Sequence, residues 1–195
     1  MALAHANSFE PPAHLRTILD DLEKSDQDAR RIAGGLSDAQ GNWQPRETAW
    51  SIAQCLDHMA RGNTLYAAAM HKALETGADR KPAQGPIQPG WFGRFFIRTL
   101  DAPPKRKMQA PKKIVPASQM AIREALQAFL RSQEDLRAVI RDGAGLDLNR
   151  IRFRNPFIGF LRFTVGTGLL IITAHDRRHL WQAERVLECP GFPKN

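Results

Sequence analysis

Two histidines four residues apart, in the segment IITAHDRRHLWQ, constrain most strongly how this chain can fold. Residues at this spacing lie on one face of a helix, so His175 and His179 point the same way. The surrounding apolar residues recur in steps of three and four, from Val165 to Val186, which is the face that a helix turns toward its neighbours. In such a buried position, unpaired ring nitrogens cost about 1 to 3 kcal/mol. The pair therefore requires hydrogen-bond partners or a metal ion.

The composition is that of a soluble intracellular protein. The chain has 195 residues, 43% of them hydrophobic, which is enough for one core and predicts one domain over residues 1–195. The start, MALAHANSFEPPAH, lacks the features of a secretory signal. The longest uncharged apolar run, from Phe163 to Ala174, is shorter than the roughly 20 residues that cross a bilayer. Two cysteines, Cys55 and Cys189, are too few for a disulfide scaffold. We therefore expect a cytoplasmic protein.

Apolar periodicity predicts four long helices. Their approximate bounds are 12–33, 51–76, 118–141 and 164–187. Ser51 and Gln54 form a capping box at the start of the second helix, and Ser118 is the expected cap of the third. Gly166 and Gly168 weaken the first turn of the fourth helix by about 1 kcal/mol each relative to alanine.

The segments between these helices contribute little regular structure to the prediction. Residues 77–117 are rich in glycine, proline and basic side chains, and we predict a long connection without a regular element there. The stretch RIRFRNPFIGFLRF alternates like a strand, but Pro156 and Gly159 argue against a long one. The predicted fold is therefore all-α: a four-helix bundle with a long, basic, Gly/Pro-rich crossover between its second and third helices.

A third histidine completes a candidate metal site. His58 lies at the edge of the apolar stripe of the second helix, and it is the third ligand that we select beside His175 and His179. Three neutral imidazoles leave coordination positions open to solvent or substrate, which is typical of a catalytic site. Zn²⁺ is the first choice, and imidazole ligands leave Ni²⁺, Fe²⁺ and Mn²⁺ open. From residue types alone, the alternative is a pair of surface histidines on an amphipathic helix.

Other groups beside the histidines receive structural interpretations. The segment HDRRH differs from the metalloprotease motif HExxH because Asp176 is one methylene shorter than glutamate, so a protease is disfavoured. Asp57 and Asp176 are interpreted as solvated helix charges rather than partners of the histidines, because neighbouring side chains diverge. Cys55, one turn before His58, is interpreted as a small buried apolar residue. No catalytic residue is assigned.

The remaining histidines and three tryptophans are also assigned structural roles. Three histidines show no paired spacing and are interpreted as surface or partly buried residues: His5, His14 and His71. Three tryptophans are predicted to pack at the ends of the bundle: Trp43, Trp50 and Trp181.

The pairing of NWQPRETAWSIAQCLDHMARGNTLY with the later HDRRHLWQAERV resembles the DinB-like, or YfiT-like, superfamily of metal-dependent bundle proteins. In that superfamily a Trp-Ser helix start leads to a histidine, and the last helix carries H-x-x-x-H followed by glutamine. The resemblance covers most of the chain and implies a four-helix bundle, in many members a dimer. It also implies one set of divalent-metal ligands, with water completing the coordination: His58, His175 and His179.

The resemblance implies a range of reactions rather than one. Some members are similar to thiol S-transferases that use a low-molecular-weight thiol such as bacillithiol or mycothiol, and others to hydrolases or isomerases. The common logic is a metal that lowers the pKa of a bound thiol or water. We therefore expect a metal-dependent transferase or hydrolase acting on an anionic or electrophilic small molecule, while a shared fold does not fix the chemistry.

The connection over residues 91–113 supports an alternative function. It interleaves four aromatic residues with seven basic ones: Trp91, Phe92, Phe95, Phe96, Arg94, Arg98, Lys105, Arg106, Lys107, Lys112 and Lys113. Such a segment could make a non-enzymatic protein that binds nucleic acid or an anionic membrane surface. We favour the interpretation that the aromatic residues pack the connection onto the bundle while the basic ones cover it in water.

Overall fold

The computed structural model is mostly helical and describes residues 10–76, 81–83, 85–103 and 109–194. In chain order its elements are α1 (Ala13–Ala33), α2 (Asp38–Asn42), α3 (Ile52–Thr76), α4 (Trp91–Leu100), a 3-10 turn (Lys112–Ile114), α5 (Ile122–Gly143), β1 (Arg152–Arg154), β2 (Arg162–Thr164) and α6 (Val165–Leu187). The two short strands pair antiparallel, with Phe153 opposite Phe163. The expectation of a mainly α-helical chain is confirmed.

The four long helices pack against one another, with α3 against α5 and α6, and α1 against the same two helices. The predicted bounds of the first, second and fourth helices agree with α1, α3 and α6 to within one residue. None of the helices in the described ranges is long and apolar enough to cross a membrane.

Short polar side chains fix where α3 and α6 begin. Ser51 Oγ accepts the Gln54 backbone N–H at 3.2 Å, and Gln54 Oε1 accepts the Ser51 backbone N–H at 3.0 Å, so the predicted capping box is confirmed. At the start of α6, Thr164 Oγ1 accepts the backbone N–H of Thr167 at 3.2 Å. These caps set the axial position of the helices that carry the histidines.

The predicted start of α5 is wrong, because Ser118 is not its cap. The helix begins at Ile122, and no side chain of the N-cap residue Ala121 caps it. Instead, Asp38 Oδ1 on α2 accepts the Ile122 backbone N–H at 2.9 Å. A cap supplied from a distant segment leaves no local sequence signal.

The connection before α5 was predicted to contain no regular element. This prediction is wrong, because the helix α4 forms within the connection. On its inner side, Phe92 stacks on Phe163 of β2 with the ring centroids 5.9 Å apart, and Phe96 lies 5.2 Å from the same ring. A ten-residue helix is too short to be stable alone, so this packing stabilises it. The prediction that the aromatics pack the connection onto the helices is thus correct for these two rings. Trp91 and Phe95 are 75% and 61% exposed.

The core consists of two apolar clusters with polar side chains between them. On α6, Ile172 belongs to the first cluster and Leu180 to the second, and the buried residues His175, Asp176 and His179 lie between them. Buried polar residues occupy the corresponding level of the neighbouring helices: Asn63 on α3 and Gln133 on α5. Because buried polar groups need partners, this layer is where a ligand or a hydrogen-bond network is required.

Candidate metal centre

His58 is held in one tautomer by the main chain of the 3-10 turn. Its ring is buried, and Nδ1–H donates to the carbonyl oxygen of Ile114 at 2.7 Å. A carbonyl only accepts, so Nδ1 carries the ring proton and Nε2 keeps a free lone pair. The α3 capping box thus positions a metal-competent nitrogen two turns into the helix.

His179 has the same tautomer through a different partner. Its Nδ1–H donates to Gln182 Oε1, three residues later on α6, at 3.1 Å. Its Nε2 is therefore also unprotonated. The glutamine that follows the histidine pair in the sequence thus orients the second ring.

His175 closes the cluster. Its Nε2 lies 3.1 Å from His58 Nε2, and because the latter bears a lone pair, the His175 Nε2–H donates to it. Opposite this ring, α3 carries Gly62, where an added Cβ would lie 3.6 Å from His175 Cε1. One ligand nitrogen from each of the three histidines lies within 4.8 Å of the other two. The structure thus brings together all three residues selected from the sequence.

Burial keeps the imidazoles of His58 and His179 neutral. Desolvation, followed by the electrostatic effect of the neighbouring His175 ring, lowers the pKa of His58 from 6.5 to about 4. The same two effects, with a further contribution from His58, lower the pKa of His179 well below its usual value. Metal ions bind neutral imidazole, so at pH 7 these two rings need no deprotonation before binding.

Trp50 lies over the cluster rather than serving only as packing at a helix-bundle end. Its ring centroid is 4.6 Å from that of His58, and it stacks on His179 at 5.6 Å with an interplanar angle of 29°. Trp50 also packs against the second apolar cluster, so the contacts with the histidines extend its predicted packing role. By contrast, Trp43 contacts Phe192 edge-on at 5.6 Å.

The two acids next to the histidines are buried, so their interpretation as solvated charges is wrong. Both oxygens of Asp57 accept from Arg61 Nε at 2.9 Å, and Oδ2 also accepts the Ala117 backbone N–H at 2.8 Å. Asp57 therefore fixes the chain that follows the 3-10 turn. Asp176 is 0% exposed, and its Oδ2 accepts from Asn63 Nδ2 at 3.2 Å and from Gln133 Nε2 at 2.7 Å.

A cavity of about 580 Å³ opens beside the histidines, bounded in part by Trp50, Tyr66 and Arg178. At its other end, Asn155 Oδ1 accepts two backbone N–H groups, and its Nδ2 donates to the Tyr66 hydroxyl oxygen at 2.6 Å. Tyr66 and Arg178 were not singled out from the sequence. The available signal is a polar side chain on the histidine-bearing face: Tyr66 lies eight residues after His58 on α3.

The other sequence predictions near the site can now be placed. Cys55 is fully buried, and desolvation raises the pKa of its thiol to about 12, as expected for an apolar role. His71 is partly buried and lies 3.2 Å from an Asp142 oxygen, and His14 is at the start of α1. His5 and the three basic residues at 105–107 lie outside the described residues.

Fold and site together define a helical protein with a buried three-histidine cluster at the wall of a cavity, a class in which metal binding is the expected role of the cluster. The chain matches the DinB superfamily over residues 21–183 and belongs to that family. Searches of curated proteins and of solved structures find no match for the chain.

Proposed function

We propose that the protein binds one divalent first-row metal ion through His58, His175 and His179 and is a metal-dependent enzyme. The observation that carries this proposal is the convergence of three buried imidazoles beside a cavity. Membership of the DinB superfamily supports it.

The residues present fit such an ion. Hydrogen bonds at Nδ1 leave the Nε2 lone pairs of His58 and His179 available as ligands. Buried beside them, His175 Nδ1 has no hydrogen-bond partner among the described residues. A cation held by the Nε2 atoms would replace the hydrogen bond between His175 Nε2 and His58 Nε2, with the His175 proton then on Nδ1. Zn²⁺ suits three imidazoles best, while Ni²⁺, Fe²⁺ and Mn²⁺ also accept this set.

The reaction class that we propose is thiol S-transfer or hydrolysis of a small electrophilic or anionic molecule. When bound, a divalent metal supplies the Lewis acidity that makes a thiolate or hydroxide available near pH 7. The chain's own contribution is a mostly apolar cavity beside the histidines, which would bind and orient the substrate. A low-molecular-weight thiol is the cosubstrate that we propose for the transferase reaction.

The same proposal covers the wider organisation of the protein. We infer that α1, α3, α5 and α6 form a DinB-type four-helix bundle with the α3–α5 crossover over the site, within a single domain. A homodimer and a cytoplasmic location stay predictions.

The alternative function uses the connection over residues 91–113 to bind nucleic acid or a membrane surface. The exposed aromatic rings of Trp91 and Phe95 on α4, on the same side as Arg94 and Arg98, are the observation in its favour. It predicts steep loss of binding with salt that is independent of the histidines.

The metal proposal is tested by elemental analysis of protein purified without a histidine tag. We expect close to one metal ion per chain, falling strongly in His58→Ala and His179→Ala. His71→Ala, on α3 but outside the cluster, serves as the matched control and should keep its metal. Folding of each variant is checked by circular dichroism. Absence of metal after reconstitution with Zn²⁺, Ni²⁺, Fe²⁺ and Mn²⁺ in turn would contradict the proposal.

The enzyme proposal needs a separate assay. Thiol-dependent turnover of an electrophile such as chlorodinitrobenzene, and metal-dependent hydrolysis of activated esters, are measured for the metal-loaded protein. We expect turnover to disappear in folded His179→Ala. Unchanged turnover in that variant would show that the histidine cluster does not catalyse the reaction.

A further inference from the structure

Tyr66 contributes a buried hydroxyl group to the wall of the cavity beside the histidines. The residue is only 2% exposed. Its ring packs against Phe153 and Phe157, with the ring centroids 5.5 and 5.7 Å away. These contacts fix the direction of the phenol, so the fold determines where the hydroxyl group lies. A mostly apolar wall thus contains one polar group held in a set position.

Asn155 determines the direction of the hydrogen bond at this hydroxyl. Asn155 Oδ1 accepts the backbone N–H groups of Phe157 and Ile158, both at 2.9 Å, so it is the amide nitrogen that faces Tyr66. Nδ2 therefore donates to the Tyr66 hydroxyl oxygen at 2.6 Å. Among the residues that the structure describes, this is the one hydrogen bond of the Tyr66 hydroxyl. The hydroxyl accepts in this bond, so its own hydrogen remains available to a ligand.

This hydroxyl is a donor at neutral pH. Desolvation raises the pKa of Tyr66 above its usual value, and the hydrogen bond from Asn155 offsets only part of that effect. The phenol therefore keeps its proton. A buried donor is unfavourable until an acceptor faces it, so a molecule in the cavity gains affinity by placing an acceptor atom at this point.

The surroundings of Tyr66 favour an uncharged acceptor. Its hydrogen bond and ring contacts are all with uncharged groups, those of Asn155, Phe153 and Phe157. Neither a positive nor a negative charge among the described residues contributes to its pKa shift. Burying an ionised group costs far more than burying a neutral one unless an opposite charge faces it. A carbonyl oxygen is uncharged and accepts a hydrogen bond in a defined direction, so it matches this donor.

Tyr66 shares one face of α3 with the histidine site. His58, Gly62 and Tyr66 follow one another at intervals of four residues, and all three line the cavity. At 1.5 Å per residue, the α-carbons of His58 and Tyr66 are about 12 Å apart along the helix. Gly62 keeps the wall between them low, because it carries no side chain. An occupant that reaches both ends is therefore elongated.

We propose that the cavity binds an apolar molecule that carries a carbonyl oxygen, and that the Tyr66 hydroxyl donates a hydrogen bond to this oxygen. This deepens the proposed function and rests on it, because it takes the cavity to be the substrate site. The carbonyl group is bound at Tyr66, and the reacting group lies toward the histidines. Tyr66 is thus a residue that determines specificity for carbonyl-bearing substrates.

Two probes that share one skeleton test the proposal. Benzophenone carries a carbonyl group where diphenylmethane carries a methylene group. Both are titrated calorimetrically into the full-length protein in the presence of a chelator, so that no metal ion takes part. The measured quantities are the two dissociation constants, in the wild-type protein and in Tyr66→Phe and Ser132→Ala.

Ser132→Ala is the matched control because it also removes one buried hydroxyl group. Ser132 Oγ donates to the Phe129 carbonyl oxygen at 2.6 Å, and the residue does not belong to the cavity lining. We expect Tyr66→Phe to weaken benzophenone binding by about two- to tenfold, as the loss of one neutral hydrogen bond predicts. Diphenylmethane binding should stay unchanged in Tyr66→Phe, and both affinities should stay unchanged in Ser132→Ala.

The infrared band of an isotope-labelled benzophenone carbonyl gives a second readout. A hydrogen bond lowers the frequency of this band, so we expect a lower frequency in the wild-type complex than in hexane and a return toward the hexane value in Tyr66→Phe. A hexane-like frequency in the wild-type complex would overturn the proposal even if Tyr66→Phe did not fold.

Three results of the titrations would also overturn it: equal loss of both probes in Tyr66→Phe, equal loss of benzophenone in Ser132→Ala, and no binding of either probe to the wild-type protein. All measurements are made without metal, so a protein that bound no metal could still show the carbonyl preference. Failure of the carbonyl site is thereby distinguished from failure of the metal proposal.

Discussion

His175 Nδ1 lies 3.9 Å from Asp176 Oδ1, and within the part of the chain that the structure describes neither buried atom has a hydrogen-bond partner. The other carboxylate oxygen, Oδ2, is held by the side-chain amides of Asn63 and Gln133, so the carboxylate is fixed with Oδ1 near the ring. When Nε2 of His175 is used as a ligand, the ring proton is on Nδ1 and faces this oxygen. A short movement of the ring would then complete a hydrogen bond that selects the ligating tautomer.

Asp176→Asn is therefore expected to weaken Zn²⁺ binding by about 10- to 100-fold. The amide oxygen would take the place of Oδ2 between Asn63 and Gln133, which turns the NH₂ group toward His175 Nδ1. That group donates to Nδ1 and so favours the Nε2–H tautomer, which cannot bind the metal. Affinity is measured by competition with a chelating dye.

Asp26→Asn is the control for this change. Asp26 is a buried carboxylate on α1 that pairs with Arg137 at 2.8 Å rather than with a histidine. We expect it to lower stability without changing Zn²⁺ affinity. Equal Zn²⁺ affinity in the two variants would show that the carboxylate next to His175 has only a structural role.

The stability of the metal-free protein should fall as the pH falls from about 6.5 to about 4. The pKa of His58 is about 4 in the folded chain and near 6.5 when exposed. Between these values the unfolded chain binds more protons, so the free energy of unfolding rises with pH. The stabilising contribution of neutral His58 is complete above 6.5 and is lost toward pH 4. The lowered pKa of His179 acts in the same direction.

Urea unfolding at a series of pH values measures this dependence. In His58→Gln the slope of stability against pH over this interval should be smaller, because one of the groups that change protonation is gone. An identical slope in the variant and the wild-type protein would rule out a depressed pKa at His58.

Gly168→Ala should destabilise the protein by about 1 to 3 kcal/mol, although alanine favours helices, because the added methyl overpacks the core. A Cβ at this position would lie 2.6 Å from the Phe153 ring and 2.9 Å from Met70 Sδ. The glycine lets the first turn of α6 approach β1 and α3. Gly35→Ala is the control, since its Cβ would meet nothing within 4 Å. Thermal unfolding compares the two, and a Gly168→Ala protein as stable as the wild type would refute the close packing.

Native protein is expected to react with one equivalent of a thiol reagent at pH 8, at Cys189. The thiol of Cys55 is fully buried, and desolvation raises its pKa to about 12, so it is protonated and inaccessible. Cys189 is partly exposed. Mass spectrometry after labelling should find a second equivalent only in denaturant, and Cys189→Ser should remain unlabelled when folded. Rapid labelling of Cys55 in the native state would contradict its burial.

The sequence was sufficient to find the histidine cluster because each histidine falls in a helical stripe whose period is set by the backbone. The partners of the histidines were harder to predict. Asp176 was interpreted as a solvated charge because the side chains of adjacent helical residues diverge. Since α6 packs against α1, α3 and α4, a residue one position away from the histidine face is also buried.

The missed helix α4 and the wrong cap of α5 have a related cause. Neither the stability of α4 nor the starting residue of α5 is determined by the local segment alone. The helix α4 is stabilised by packing on the ring of Phe163, and α5 begins at Ile122, whose backbone N–H is accepted by Asp38. Such contacts join residues far apart in the sequence, so local patterns do not contain them.

The bond between His58 and the Ile114 carbonyl has a consequence for how this site can vary. The acceptor belongs to the peptide group, so replacing the side chain at 114 leaves it in place, whereas lengthening or shortening the α3–α5 connection would withdraw it. The length of the connection therefore controls the basicity of the His58 imidazole. Insertions there could retune the reactivity of the centre while every ligand remained unchanged.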